Sequence, residues 1–316
     1  MANNNSASKK IGLNDSGQFC CLKTMQTMDG DLEEYSRFKF GDVAAIESLS
    51  GAVSRYFIQK LNPGGELREV FDRVKKDSEF IYIQAPGVRN VASSSNYLMA
   101  KVADNVNLWL AHNGYPTMIK KPVVRLASGV SNYAELSAQT RKNREKTTVS
   151  LLPISDYSAH PINVIFIDDV RVTGCTSKRA ELHSLRGGAV SFNSIFAYEV
   201  DDVIANHDAS IEHRLNQYSI KGGLDVNVSQ ILAHTNYQPV QRMLRLLLNS
   251  ANRKQWAYFA RFKIPEQILL RIYCSALSND YHSISTNGNL MYAESLSILY
   301  DVLREKSLID QMGNPC

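Results

Sequence analysis

The 316-residue sequence predicts an α/β fold, a parallel sheet flanked by helices, with a helical C-terminal region behind it. Two observations carry this. A strand, helix, strand order occurs twice before Asp201, and beyond Asp201 every patterned segment has helical spacing.

From Gly41 to Gln59 the apolar residues Val43, Ile46, Val53 and Phe57 fall on one helical face, and "NPGG" from Asn62 ends the run. "EFIYIQAP", Glu79 to Pro86, reads as a buried strand stopped by Pro86 and Gly87. Ser93 to Ser95 offer an N-cap for a helix through Leu98, Val102, Val106 and Leu110, which Gly114 terminates. "PTMIKKPVVRL" from Pro116 is the next extended segment. The second unit consists of a strand at Val164 to Ile167, a helix from about Thr176 to Leu185 and a strand at Ser191 to Tyr198. Helices follow in the segments starting at Pro239, Pro265 and Asn289, two of them opening with proline, which a first helical turn tolerates. The chain therefore divides into a polar tail (1–30), an α/β domain (31–200) and a helical domain or hood (201–316).

Composition narrows the function classes. Hydrophobic residues at 44% and charged residues at 21% are those of a folded globular protein. The net charge of +4 is too small to argue for nucleic acid, which is not an expected partner. Five scattered cysteines without zinc spacing suit a reducing compartment. "MANNNSASKK" lacks the apolar core of a signal peptide, and no run of eighteen apolar residues occurs, so the expected location is the cytoplasm, without membrane contact. The seven histidines show no metal spacing.

The most informative stretch is "VIFIDDVRVTGCT", Val164 to Thr176. In an open parallel sheet, ligands bind beyond the carboxyl ends of the strands. Asp168 and Asp169 fall at such an end, where adjacent carboxylates accept hydrogen bonds from vicinal sugar hydroxyls and hold a hydrated divalent cation. "VRVTGCT" then leads into a helix start, where backbone N–H groups and the Thr173 and Thr176 hydroxyls surround a phosphate and Gly174 admits close backbone approach.

This string resembles the signature of the type I phosphoribosyltransferases (PRTases): a branched-aliphatic strand, two acids, an aliphatic residue, then small residues, threonine, glycine, any residue and threonine. The resemblance implies a magnesium-dependent pentosyltransferase of nucleotide metabolism that uses 5-phosphoribosyl 1-pyrophosphate (PRPP). Asp168 and Asp169 would hold the ribose hydroxyls and, mainly through water and PRPP, Mg2+. The loop Val170, Arg171, Val172, Thr173, Gly174, Cys175 and Thr176 would bind the ligand, with Arg171 to Thr176 around the 5′-phosphate. Arg171 replaces a common aliphatic residue and Val172 a common small or hydroxyl one. The pyrophosphate loop implied after the earlier strand is Pro86, Gly87, Val88 and Arg89, and Arg89 joins the two acids as an expected catalytic residue.

The polar segment Asn132 to Thr148, with Arg141, Lys142 and Arg144, lies where the family keeps a mobile loop. Its order of Leu136, Gln139, Arg141 and Asn143 resembles the ComF-like branch, as does "YSRFKFGD" from Tyr35 with Lys39 and Gly41. Proteins of stress and tellurium-resistance operons are a further resemblance. On this reading the similarity spans roughly Tyr35 to Val200 and excludes the helical third. The expected partners are PRPP and a small-molecule, nucleobase-like acceptor. A homodimer is an open arrangement, as are a catalytically silent PRPP- or nucleotide-binding regulatory protein and a lyase or hydrolase working on a finished nucleotide. The window from Pro239 to Lys263 carries six basic residues and no acidic one, interleaved with aromatics, and is read as a structural helix pair with solvated cations.

Overall fold

A computed structural model of the protein describes residues 16–25, 31–124, 155–158, 160–208, 211–286 and 289–316. In chain order the first part comprises β1 (Ser16–Met25), α1 (Leu32–Lys39), α2 (Val43–Leu61), α3 (Arg68–Asp77), β2 (Phe80–Gln84), α4 (Ser94–His112), β3 (Ile119–Lys120), α5 (Ser155–Ser158), β4 (Ile162–Arg171), α6 (Cys175–Arg186) and β5 (Ser191–Val200). The five strands form one parallel sheet in the order β1-β5-β4-β2-β3. Arg141, Lys142 and Arg144 lie outside the described residues.

The helix and strand expectations hold closely in the middle of the chain. Asp42 caps α2 by accepting from the N–H groups of Ala44 and Ala45, and Gly114 ends the turn after α4 at φ +67°. Three points differ. Part of the expected tail is β1, which pairs with β5 at the sheet edge. "PTMIKKPVVRL" contributes only the two-residue β3 and an isolated bridge from Val124 to Val88. Finally, β4 continues to Arg171, so the two acids belong to the strand rather than to the loop behind it.

Alternation along β4 builds two cores. Ile165 and Ile167 join Ile83, Ile195, Val53, Phe57, Leu98 and Val102 under α2 and α4, whereas Val164 and Phe166 meet Tyr157, Ala189 and Phe192 on the opposite face. Helix α4 thus leaves β2 over one face, and α6, whose Ala180 and Leu185 pack on the second core, leaves β4 over the other. Because α4 leads to β3 on one side and α6 to β5 on the other, strand order reverses between β2 and β4, the switch point at whose carboxyl ends an open parallel sheet forms its ligand crevice.

The C-terminal region comprises α7 (Asp202–His207), α8 (Ile211–Asn216), α9 (Val226–Leu232), α10 (Gln241–Leu247), α11 (Arg253–Phe262), α12 (Glu266–Ser278), a small antiparallel pair β6 (Ser285–Thr286) and β7 (Asn289–Leu290), and α13 (Ala293–Glu305). Its own core, around Trp256, Leu244, Leu247, Ile268, Ile272, Leu299 and Val302, also takes in Phe40 and Val91 of the α/β part. The basic window is largely spent on structure. Trp256 is buried and donates its indole N–H to the Ser295 carbonyl, while Arg253 pairs with Glu294 and Arg261 with Glu305. No helix among the described residues is long and apolar enough to cross a membrane.

Candidate functional site

Asp169 is 3% exposed at the end of β4 and accepts three side-chain hydrogen bonds. Its Oδ2 receives the Tyr35 hydroxyl at 2.7 Å and the Lys39 ammonium at 2.6 Å, and its Oδ1 receives the Ser95 hydroxyl at 2.8 Å. Tyr35 and Lys39 stand four residues apart on α1, a spacing that puts both on one helical face. Ser95 lies in the first turn of α4. Asp169 therefore ties β4 to α1 and α4.

Asp168 is left differently placed. It is half-buried, and its Oδ1 accepts the backbone N–H of Asp169 at 2.9 Å. Burial and the charge of Asp169, with a hydrogen bond between the two carboxyls, hold the Asp168 acid well above the usual carboxylate range, against a smaller opposing effect of Lys39. For Asp169, burial also opposes charge, but Lys39, the hydrogen bonds from Asp168 and Lys39, and Tyr35 outweigh it and hold this carboxyl well below the usual range. Tyr35 is kept protonated, as a donor, by burial and by the charge of Asp169. The pair thus has one carboxyl held low and satisfied by its neighbours, and one held high and half-buried beside it.

 Beyond the acids, Val170 and Val172 are buried in the larger core, so that within the expected phosphate loop they offer backbone and not side chain. Arg171 pairs with Glu199, its neighbour across the sheet on β5. Gly174 takes φ +66°, where a side chain is strained, and a Cβ there would meet Arg171 Nε at 3.3 Å. Helix α6 starts directly after it with no side-chain cap, a few residues beyond Asp168 in the chain. Thr173, Cys175 and Thr176 are half-buried around this turn.

The loop after β2 forms the other wall. Asn96 braces it, donating from Nδ2 to the Pro86 carbonyl at 3.1 Å while its Oδ1 accepts the Ser93 N–H at 2.8 Å. Gly87 and Val88 are half-buried, and the Val88 N–H bonds to the Val123 carbonyl. Arg89 is exposed and turned away to Asp280, and Asn90 bonds to Ser278 and Asn279, so this loop is docked on the end of α12.

The helical region reaches the site as well. The N–H and side-chain amide of Gln241 donate to the carbonyls of Ala92 and Val91. Gly41, at φ +86°, lies so close to α10 that a Cβ would meet Val240 at 3.1 Å and Tyr237 at 3.2 Å. Gly41→Ala is expected to cost about 2 kcal/mol through left-handed strain plus this contact, read as a lower midpoint in urea unfolding. The acids, the glycine turn and the loop after β2 were all legible in the sequence as elements of the fold. Ser95, read there only as capping, and Glu212 and Arg242, which lie within electrostatic reach of the pair, were not. Arg242 was hidden in the basic window. Among the described residues no group of three or more His, Cys, Asp or Glu side chains is arranged to hold a metal ion.

No curated protein and no solved structure matches the chain. The model of one family, described as PRTase ComF-like, matches residues 23–293. That span takes in β2 to β5 with the end of β1, the acid pair and most of the helical region, and so corrects the narrower extent of Tyr35 to Val200 expected from the motifs. Helices α9 to α12, which share a core with Phe40 and Val91, fall inside the match. With sheet order, acid-bearing strand and glycine turn in agreement, the chain belongs to the PRTase ComF-like family, whose general chemistry is phosphoribosyl transfer.

Proposed function

We propose that the protein transfers a 5-phosphoribosyl group from PRPP to a small-molecule acceptor, releasing pyrophosphate. The observation that carries this reading is Asp168: a carboxyl group kept half-buried at the crevice, between the uncapped start of α6 and the loop after β2. Its acceptor oxygens suit ribose hydroxyls, the α6 turn suits the 5′-phosphate, and the loop from Pro86 to Arg89 suits the pyrophosphate. In the reaction the bond from C1′ to the pyrophosphate oxygen breaks, its electron pair leaving with pyrophosphate, and the acceptor nucleophile bonds to C1′. The chain's part is to orient the two reactants and to offset developing charge.

Asp168 fits a Mg2+ ion carried by PRPP, held through water, because it alone of the pair has acceptor capacity to spare. Asp169 does not, since its oxygens already serve Tyr35, Lys39 and Ser95. When bound, the ion would neutralise charge on the departing pyrophosphate. The outward turn of Arg89 to Asp280 favours a second reading, a protein that binds PRPP without catalysing transfer.

Calorimetric titration with PRPP and Mg2+ tests the proposal. Binding by the wild type that weakens at least tenfold in Asp168→Asn is expected, followed by pyrophosphate release in an acceptor screen. Binding without release under any acceptor favours the second reading, and no binding by folded protein rejects both.

A further inference from the structure

A cation with no carboxylate bound to it reaches the acid pair from the helical region. Arg242 makes no hydrogen bond and no ion pair among the described residues, although Arg253, Arg261 and Arg271, on the helices beyond it, all do. Its helix is fixed at the site on two sides. Val240 abuts Gly41, two residues after Lys39, and Gln241 is bonded to Val91 and Ala92, which close the loop after β2. Arg242 follows directly, largely withdrawn from solvent and within electrostatic reach of Glu212, Tyr35 and Asp169. A guanidinium in that setting has given up part of its hydration without gaining a fork of acceptors.

Asp169 does not supply that fork, because Tyr35, Lys39 and Ser95 already occupy it, and Glu212 lies beside Lys39, its Oε1 3.9 Å from Nζ. The loop after β2, for its part, lacks an inward cation, since Arg89 is turned to Asp280. We propose that Arg242 is the ligand-binding cation of this loop, contacting the diphosphate of PRPP and of released pyrophosphate from the helical region. This rests on the transferase reading for PRPP, but not for inorganic pyrophosphate. The helical region is then part of the substrate site, a role in keeping with the family match through residue 293. Bidentate contact from arginine to phosphoryl oxygens has a geometry that lysine does not reproduce.

The test is calorimetry with three probes in the presence of Mg2+: inorganic pyrophosphate, PRPP and ribose 5-phosphate, which lacks the diphosphate. The proteins are the wild type, Arg242→Ala, Arg242→Lys, and Lys254→Ala, which removes an exposed charge from α11. Thermal melts establish that each is folded. In Arg242→Ala, affinity for pyrophosphate and PRPP should fall about tenfold to a hundredfold, with ribose 5-phosphate unchanged, Arg242→Lys intermediate and Lys254→Ala like the wild type. Unchanged pyrophosphate and PRPP binding in Arg242→Ala overturns the proposal and leaves the transferase reading standing. Equal weakening of all three probes also overturns it, because a structural role then suffices. A wild type that binds pyrophosphate through Arg242 but not PRPP keeps the anion site and rejects the transferase, and a wild type that binds neither rejects both.

Discussion

Asp169→Ala is expected to cost about 3–5 kcal/mol of folding stability, whereas Asp168→Asn is expected to raise the melting temperature at neutral pH. Neighbouring residues of one type thus respond in opposite directions, because their surroundings differ. Removing the Asp169 carboxylate leaves the Lys39 ammonium buried beside only the more distant Glu212, and strips the acceptor from the Tyr35 and Ser95 hydroxyls. Asparagine at 168 keeps the oxygen that accepts the Asp169 N–H and supplies an amide donor to the Asp169 carboxylate, removing a repulsion without creating a cavity.

The pH dependence follows from the two shifts. Asp169, held low, contributes stability that is present above the unfolded carboxylate value of about 3.9 and is lost as pH falls through its folded value. Asp168, held high, has the reverse sign: its cost is absent below about pH 4 and grows as pH rises towards its folded value. The gain in Asp168→Asn should therefore reach about 1 kcal/mol near neutrality and vanish near pH 3.5. Urea unfolding at both pH values reads it, and a destabilised Asp168→Asn at pH 7 would show that Asp168 is a structural anchor like its neighbour.

The acid pair, glycine turn and helix start were legible because they are contiguous, and contiguous residues on one strand end share a place in the fold whatever the rest of the chain does. The division of labour within the pair was not. Tyr35 and Lys39 could be seen to share a helix face, but their target lies 134 and 130 residues further on, and no local spacing encodes such a contact. Ser95 was hidden by its own neighbours, since three consecutive serines before a helix read as capping while only the packing of α4 on β4 shows which one turns inward. Strand β1 was missed because "SGQFCCLKTM" lacks a clean alternation, and its pairing with β5 is a property of the sheet rather than of the segment. Arg242 shows the complementary difficulty: in a window of six cations, only tertiary structure separates Arg253 and Arg261, which meet carboxylates, from Arg242, which forms no ion pair among the described residues.

Affinity for PRPP is expected to rise with pH by up to about tenfold per unit while Asp168 titrates, and then to level off. Ribose hydroxyls donate to a carboxylate more strongly than to a neutral acid, so the ligand selects the ionised form, and the proton that Asp168 shares with Asp169 leaves on binding. Asp168→Asn has no such proton. It should bind more weakly at every pH, retaining only the dependence due to the ligand's own phosphates. Calorimetry in two buffers of different ionisation heat measures the proton released, and equal release by wild type and variant would remove Asp168 from the binding step. On the proposed reading the two mutually repelling acids are tolerated side by side because Asp169, paired with Lys39, holds β4 to α1 and α4, while its charge raises the adjacent carboxyl, whose proton a ligand with hydroxyl donors would replace.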